Sequence, residues 1–457
     1  MLPGILGSRL ERDGRVVWGF GSVVRSLTHV SARLTADLSL DATAFTDPER
    51  GCDDGTVAAR VMGSLPPRPG IRSFRAFDGT AAAIPGFWTL VDGYDLLLQR
   101  LKTVVDPRDV VAFPYDWRQS CRVTATRLRS AVEPLMRARR REHPAAQLIL
   151  IGHSLGGLVA QYYAECLDDE GFTGRVISIG TPYQGAVRAL TVLANGSARV
   201  SAGPVAIRVE VGELLRSMPS VAECLPIYPC IGDDAVALTD IRDGNAVPGL
   251  PRRLADHATT FHREIEAAAA SNGNRRPIYS PILSVMQMTP KWAKVSSGRV
   301  EEQCAADGDG TVARLSAIPH DWVDPGGGMF AAGKHAGLQN STGAWDQVFG
   351  LLTGGAPRRP MAAAEELMVD APEYVMPGGD WTVTARPVSG NMKLAVVAEC
   401  DAPSGILLRT PLRPGTGSYS ATLTIDEPGI VRWTLRADPM GNAAVSPVSD
   451  VLVCAEP

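Results

Sequence analysis

The sequence predicts an α/β fold, with a mostly parallel sheet covered by helices on both faces, followed by an all-β sandwich. From Gly93 the apolar residues alternate between helix and strand patterns, which is typical of a parallel sheet covered on both faces. Beyond Val369 the chain shows short alternating runs broken by Pro, Gly and Asn, which indicate closely spaced strands. With 457 residues, two domains are a better expectation than three.

The domain limits follow from shifts in composition. We expect the α/β domain over residues 1–355, a linker over 356–368 and the sandwich over 369–457, because the run GGAPRRPMAAAEEL separates the two patterns. Residues 181–251 lose the regular alternation, and we interpret them as a cap, since long insertions at the carboxyl ends of strands usually cover a site. A glycine- and proline-rich stretch to about Pro85 is interpreted as an irregular insertion.

The sandwich is predicted from five runs of strand-forming residues. Its size of about 90 residues fits an immunoglobulin-like sandwich, although the Cys…Trp…Cys arrangement of true immunoglobulin domains is missing. The predicted strands are DWTVTARP, MKLAVVAEC, YSATLTI, GIVRWTLRA and SDVLVCA.

Charge and cysteine usage exclude several classes of function. The formal net charge is -4 and the pI is about 6.0, so nucleic acid is not expected as a partner. The basic run Arg137–Arg141 lies on a predicted helix and is interpreted as a solvated face without function. The eight cysteines show no CxxC spacing, so no metal site is predicted, and no cofactor is expected. Cys224 and Cys230 could close a small disulfide in an oxidising compartment, but free thiols are the favoured interpretation.

No apolar segment reaches the roughly 18 residues that a transmembrane helix needs. The best candidate, around Ile149, is interrupted by His153, Ser154 and glycines. The first residues, MLPGILGSRL, lack the basic and long apolar regions of a secretory signal, and we interpret them as folded core. A cytoplasmic location is therefore expected.

The chemistry centres on the hexapeptide GHSLGG. Gly152 to Gly156 match the pattern G-x-S-x-G, in which small flanking residues allow a sharp strand-to-helix turn that exposes a serine. The apolar run LILI precedes the motif and the helical pattern GLVAQYYAECL follows it, as this turn requires. We therefore predict Ser154 as a nucleophile, with the backbone N–H of Leu155 directed at a developing oxyanion. The motif indicates an α/β-hydrolase fold, in which the acid and then the histidine follow the serine along the chain.

The predicted base is His335. Of seven histidines, only His320 and His335 follow the acidic candidates. We interpret AIPHDWV as the last strand, which places His320 near its start and His335 in the loop after it, where the base is expected. The predicted acid is Asp309 in the loop CAADGDGTVAR, while Asp307 is expected to shape the turn by an Asx hydrogen bond.

A second oxyanion donor is expected from the glycine-rich turn LPGILGS at the start of the chain. We favour the backbone N–H of Ile5 and keep Leu6 as an alternative, because sequence does not separate adjacent amides. Asp116 and Arg118 in FPYDWRQS are interpreted as an ion-paired structural turn beside the site rather than as catalytic residues.

Several separated segments resemble one family, the lecithin:cholesterol acyltransferase-like lipases and acyltransferases. The similar segments are LPGILGSRLE, FPYDWRQS, LIGHSLGG, GTPYQGAVRAL, SMPSVAECLP, DGDGTV and GKHAGL, in order over about residues 1–355. The resemblance implies Ser154, Asp309 and His335 as a catalytic triad, with Ile5 and Leu155 as oxyanion donors. We expect an additional β-domain in this chain and no signal like that of the secreted, disulfide-bonded animal members, so their substrates and compartment are not carried over.

The expected activity is that of a serine-dependent ester hydrolase or acyltransferase that forms an acyl-enzyme on Ser154. The apolar cap predicts a hydrophobic, lipid-like ester, met at a membrane or lipid surface, with phospholipid or glyceride esters as the first expectation. One alternative is an acyltransferase, cyclase or thioesterase for a natural-product or carrier-bound ester, which needs the same triad and a different acceptor. The other alternative is a non-catalytic binding module that uses the sandwich, and the complete, correctly ordered triad argues against it.

Overall fold

The computed structural model describes residues 1–12, 15–18, 38–41, 43–46, 56–61, 93–202, 205–243, 247–322, 328–355, 364–401, 407–439 and 444–455. Most of the predicted irregular insertion, and residues 356–363 of the predicted linker, lie outside these ranges. Among the described residues, no helix combines the length and the apolar character that crossing a bilayer takes. The same residues contain no group of three or more His, Cys, Asp or Glu side chains arranged to hold a metal ion.

The central sheet is parallel. Met329–Phe330, Ile278–Leu283, Thr173–Ile179 and Leu148–His153 lie across it in that order. Leu2 continues the sheet through a parallel bridge to Gly152. The start of the chain is therefore held directly beside the strand that leads into the GHSLGG motif.

Helices cover both faces of this sheet. Successive strand residues point to opposite faces, so Leu150 and Val176 join one apolar core while Ile151 and Ile177 join another. The first core is shared with the helices Cys121–Glu142, Leu155–Tyr162 and Arg252–Asn272, and the second with Asp95–Leu101 and Thr342–Thr353. The predicted parallel sheet with helices on both faces is confirmed.

The flanking helices begin at residues suited to capping. Ser120 accepts a hydrogen bond from the Arg122 N–H at the start of Cys121–Glu142 (3.2 Å). Ser341 accepts one from the Ala344 N–H at the start of Thr342–Thr353 (3.1 Å). Such bonds satisfy N–H groups that have no partner within the helix itself.

Two predicted strands are wrong. The predicted strand AIPHDWV is instead preceded by the 3₁₀ helix Arg314–Ala317, which includes its first residue. The Gln184 side chain donates to the carbonyl oxygen of Leu315 (2.9 Å). Pro319 has no N–H with which to pair with a neighbouring strand. The strand that precedes the loop of the predicted base is instead Met329–Phe330. The run VVAFPYDW is also not a strand, because its backbone bonds the first residue of the chain rather than a neighbouring strand.

The predicted cap over 181–251 contains more regular structure than the sequence indicated. It includes the helices Val187–Asn195, Gly212–Arg216 and Pro219–Ala222, the 3₁₀ turn Ile241–Asp243, the antiparallel pair Ser197–Ala202 and Val205–Glu210, and the strand Ile231–Gly232. A hairpin that was not predicted, Met288–Ser296 with Arg299–Ala306, joins the cap by parallel pairing with Ile231–Gly232. Cys224 and Cys230 are both buried and free.

Further short elements lie among the described residues of the first domain. Ser8–Arg12 pairs antiparallel with Arg15–Trp18 and with Thr56–Val61. The other short elements are the helix Thr43–Thr46, the 3₁₀ turns Pro107–Asp109, Gly273–Arg275 and Leu338–Asn340, and the π-helical turn Tyr163–Leu167.

The carboxyl-terminal part consists of two sheets around one core that contains Trp381 and Trp433. One sheet orders Leu367–Asp370, Gly379–Pro387, Tyr419–Ile425 and Arg413–Pro414, and the other Tyr374–Val375, Val448–Cys454, Gly429–Ala437, Val396–Asp401 and Leu407–Pro411. The five predicted strands are present, although MKLAVVAEC contributes only its last residues, in Val396–Asp401. The strand Leu367–Asp370 was not predicted and begins inside the predicted linker. The immunoglobulin-like type stays a prediction.

The sandwich shares apolar core with the first domain. Along the strand Val448–Cys454, Leu452 packs in the sandwich core, whereas Val451 and Val453 join the main core of the α/β domain. The Gln287 side chain adds a polar link, since it donates to the Leu367 carbonyl oxygen (2.9 Å) and accepts from the Val369 N–H (3.1 Å). The two parts of the chain therefore stabilise each other.

Val453→Ala is expected to lower the free energy of unfolding of the whole chain by about 2 kcal/mol, because it removes two buried methyl groups from the shared core. Val388→Ala is the matched control, since Val388 is 44% exposed and Val453 is 3% exposed. Urea denaturation followed by tryptophan fluorescence measures both variants. Equal, small effects of the two substitutions would show that the shared core does not contribute to stability.

Candidate active site

Ser154 lies at the junction of the strand Leu148–His153 and the helix Leu155–Tyr162. Its φ is 52° and its ψ is -124°, a conformation that costs a non-glycine residue about 1–3 kcal/mol. The Ser154 N–H donates to the Ile179 carbonyl oxygen (2.9 Å), and the Ser154 carbonyl accepts from the Gly157 N–H (2.9 Å). These bonds hold the strained turn between the neighbouring strand and the first turn of the helix.

The two motif glycines are required by close packing rather than by their own conformation. A Cβ atom on Gly152 would lie 2.6 Å from the backbone of Gly157, and one on Gly156 would lie 2.4 Å from the carbonyl oxygen of Leu2. Real Cβ atoms do not approach backbone this closely, so any side chain would force the strand, the helix and the chain start apart. The pattern G-x-S-x-G thus reflects the contact of three segments.

The structure brings the three predicted side chains together. His335 Nε2 lies 3.0 Å from Ser154 Oγ, and His335 Nδ1 lies 2.6 Å from Asp309 Oδ2. All three residues are buried. Because a carboxylate accepts, Nδ1 carries the hydrogen and Nε2 of the neutral ring is free to accept the serine proton.

The loop of Asp309 is held by its own backbone. Asp309 Oδ1 accepts from the N–H groups of Thr311 (2.9 Å) and Val312 (2.7 Å), and the Asp309 carbonyl oxygen accepts from the His335 N–H (2.9 Å). The carboxylate is therefore oriented by one oxygen and faces the imidazole with the other. The predicted Asx hydrogen bond belongs to Asp309 and not to Asp307.

Asp307 and His320, which the sequence disfavoured as acid and base, do not join the three central side chains. The Asp307 side chain forms ion pairs with Lys291 (2.7 Å) and Arg314 (2.8 Å), so charge pairing rather than the expected Asx turn fixes it. The His320 side chain is 48% exposed and lies 4.0 Å from the Glu266 carboxylate on the surface. Neither contacts Ser154.

The turn Pro3–Gly7, which we term the oxyanion turn after the role predicted for it from the sequence, packs against the serine. A Cβ atom on Gly4 would lie 2.9 Å from Ser154 Cβ, and the Gly7 N–H closes the turn on the Gly4 carbonyl oxygen (3.0 Å). Ile5 and Leu6 form the middle of this turn, and Leu6 has a φ of 62°. Leu155, the other predicted donor, is the first residue of its helix, where the N–H has no partner within the helix.

Asp116 and Arg118 form a buried ion pair. Arg118 Nε and Nη2 donate to the two carboxylate oxygens of Asp116 at 2.9 and 2.7 Å. Arg118 also donates to the Leu38 carbonyl oxygen (3.2 Å). The pair forms an ion-paired structural turn, which is tied to Leu38, and it does not contact the three central side chains.

Two buried residues that the sequence did not single out, Tyr94 and His153, together link the oxyanion turn to His335. Tyr94 Oη accepts from the Gly4 N–H (2.7 Å) and lies 2.8 Å from His153 Nδ1. His153 Nε2 lies 3.1 Å from the carbonyl oxygen of His335. His153 occupies the variable position of G-x-S-x-G, so a polar ring on a buried strand was the one signal available in the sequence.

The sandwich reaches the loop of His335. Lys334 Nζ pairs with Asp450 (3.0 Å) and lies 5.7 Å from the centre of the Trp433 ring. A cavity of about 350 Å³ lies beside this contact, and its lining includes Asp309, His335 and sandwich residues from Met368 to Asp370. The residue next to the predicted base is thus anchored in the second part of the chain.

The parallel sheet, the strained serine turn and the hydrogen-bonded side chains together define a protein of the α/β-hydrolase class. Residues 47–247 match the family model for lecithin:cholesterol acyltransferase. Over these residues the chain is similar to that family, and the match confirms the resemblance seen in the sequence. No curated protein matches the chain at a significant level.

Three solved structures overlap parts of the chain. Bacillus licheniformis lipase BlEst2 in its propeptide form is 12% identical, covers 74% of this chain and 83% of its own, and has a TM-score of 0.27. The PKD domain of an M14-like peptidase from Thermoplasmatales archaeon SCGC AB-540-F20 is 15% identical, with coverages of 20% and 96% and a TM-score of 0.15. A Br derivative of BhCBM56 is 11% identical, with coverages of 19% and 91% and a TM-score of 0.14. TM-scores this low carry no argument about fold or function.

Gly180→Ala is expected to slow the reaction of Ser154 with a fluorophosphonate probe at least tenfold. Gly180 has a φ of 57°, and an added Cβ would lie 3.0 Å from Asp309 Oδ2 and 3.2 Å from His335 Nδ1. Gly171→Ala is the control, because Gly171 has a φ of 59° and open space around its Cβ position. Both variants should lose about 1–2 kcal/mol of stability from backbone strain, while only the first should lose reactivity. Equal labelling rates would show that the close approach of Gly180 does not constrain the acid and the base.

Proposed function

We propose that the protein is a serine-dependent ester hydrolase or acyltransferase that acts on lipid-like or hydrophobic acyl esters through an acyl-enzyme on Ser154. The observation that carries the proposal is the hydrogen-bonded series of Ser154, His335 and Asp309 at a strained strand-to-helix turn. The match to the lecithin:cholesterol acyltransferase family model over residues 47–247 supports an acyl-ester substrate of lipid type.

The proposed first half-reaction forms the acyl-enzyme. His335 Nε2 takes the proton of Ser154 Oγ as this oxygen attacks the ester carbonyl carbon, and the resulting oxyanion accepts hydrogen bonds from the N–H groups of Ile5 and Leu155. Asp309 stabilises the imidazolium that forms. The carbonyl then re-forms, the bond to the alkoxy group breaks, and His335 returns its proton to the departing alcohol.

The second half-reaction repeats these steps with an acceptor. Water or an alcohol gives its proton to His335, attacks the acyl carbon and releases Ser154. Every proton is carried by His335, so the proposal needs only protein groups and the acceptor. Hydrolysis and acyl transfer differ in the identity of that acceptor.

The lipid-like substrate is supported by the composition of the cap. Its helices bury apolar side chains against the main core, and this core extends to the helix that follows Ser154. The buried cap side chains include Leu190, Leu193, Leu214, Leu215, Val221 and Leu225. The apolar character of this cap is the property that favours a hydrophobic acyl chain in the proposed substrate.

Ser154→Ala is expected to abolish covalent labelling by a fluorophosphonate probe and to lower ester turnover by at least about 10³-fold. Ser130→Ala is the control, since Ser130 is an exposed helical serine on the surface. Intact-protein mass spectrometry measures the labelling. An unreactive wild-type protein would contradict catalysis and favour the binding-module alternative.

Long-chain phospholipid or glyceride esters are expected to be turned over at least tenfold faster than acetyl esters of the same alcohol, because a longer chain buries more apolar surface. Product analysis by mass spectrometry, with and without an added long-chain alcohol, distinguishes the free acid from a new ester. Turnover of carrier-bound thioesters in place of these lipids would support the natural-product or carrier-bound alternative.

A further inference from the structure

Tyr94 and His153 form a continuous hydrogen-bonded path between the two halves of the site. The path starts at the Gly4 N–H in the oxyanion turn and ends at the carbonyl oxygen of His335. Gly4, Tyr94, His153 and His335 are all buried, so water does not compete for these bonds.

The chemistry of the end groups fixes the direction of every bond. A carbonyl oxygen only accepts, so His153 Nε2 must carry a hydrogen and donate it to His335. Nδ1 of the neutral ring then accepts, and the Tyr94 hydroxyl supplies the hydrogen. The hydroxyl oxygen in turn accepts from the Gly4 N–H. Each donor and acceptor of the path has one partner, and no other arrangement of a neutral ring satisfies all of them.

This direction requires an uncharged His153 ring. Burial, and then the neighbouring His335, lower the pKa of His153 well below its usual value near 6.5. The titratable groups that face His153 within the described part of the chain are Tyr94 and His335. Burial raises the pKa of Tyr94, so its hydroxyl stays protonated. The ring centres of His153 and His335 lie 5.2 Å apart, where a charged His153 would oppose the imidazolium required in the proposed mechanism.

We propose that Tyr94 and His153 are positioning residues that hold the oxyanion turn and the backbone of His335 in register with Ser154. This inference rests on the proposed function of the same site. His153 directly precedes Ser154 on the strand Leu148–His153. The His153 side chain therefore links this strand to the backbone of His335 and, through Tyr94, to the Gly4 N–H of the oxyanion turn. The oxyanion donors, the nucleophile and the base must meet in the transition state. They come from residues 3–7, 153–155 and 335, and the hydrogen-bonded path joins these three segments.

The first test measures the second-order rate of Ser154 labelling by a fluorophosphonate probe. Tyr94→Phe and His153→Leu are each expected to slow labelling at least tenfold, because a displaced base or oxyanion donor weakens stabilisation of the transition state. The double variant should be no slower than the slower single variant, since both act through one path. His153→Gln should recover part of the rate, because its amide offers a donor near the position of Nε2.

Matched controls separate positioning from a loss of stability. Tyr163→Phe makes the same substitution at a buried tyrosine whose hydroxyl has no hydrogen-bond partner among the described residues, and it should label at the wild-type rate. Thermal unfolding of each variant shows whether the protein is folded at the assay temperature. Wild-type labelling rates in folded Tyr94→Phe and His153→Leu variants would overturn the proposal. Additive losses in the double variant would overturn it as well.

A second measurement does not depend on activity. Long-range ¹H–¹⁵N correlation spectra of the imidazole rings are expected to show His153 as the neutral Nε2–H tautomer, without titration between pH 5 and 8. A titrating ring, or the Nδ1–H tautomer, would contradict the path. A wild-type protein that fails to react with the probe would instead contradict the proposed function, while these spectra still decide the arrangement of His153.

Discussion

The strained backbone of Ser154 is the constraint on which the rest of the site depends. A φ of 52° at a serine persists only when surrounding structure holds it, and here strand, helix and chain start are packed on one another without room for a Cβ at Gly152 or Gly156. The same contact sets the oxyanion turn against the serine. The cost of the strained turn is thus offset by apolar burial in the cores on both faces of the sheet.

The loop of His335 is fixed from three directions. The His335 N–H donates to the Asp309 carbonyl oxygen, and the His335 carbonyl oxygen accepts from His153. The preceding residue, Lys334, is paired with Asp450 of the sandwich. A loop held at one point could rotate the imidazole away from the serine, whereas a loop held at three keeps a single orientation. The sandwich therefore belongs to the support of the site, and the core that it shares with the α/β domain explains why its strand Val448–Cys454 is apolar on both faces.

The sequence was most informative where a local pattern has one physical solution. The period of apolar residues predicted the parallel sheet and its helices, and the order of histidines selected His335, which the structure brings next to Ser154. The last strand was misplaced because AIPHDWV has a strand-like composition, while its actual conformation depends on a distant side chain, Gln184. Tyr94 was missed for the same reason, since its partners Gly4 and His153 lie 90 and 59 residues away along the chain.

In the proposed mechanism, burial of the site separates the chemistry of Ser154, His335 and Asp309 from the choice of acceptor. Ser154 is 1% exposed and His335 is 2% exposed, so bulk water is excluded from the atoms that would carry developing charge. In such surroundings hydrogen bonds to an oxyanion are stronger than in water, which supports the proposed acyl-enzyme whichever acceptor later releases the acyl group. The proposed acceptor must then reach the same buried atoms as the ester. In the proposed mechanism, hydrolysis and transfer thus differ in what the surroundings of Ser154 admit, and not in the three side chains that carry out the reaction.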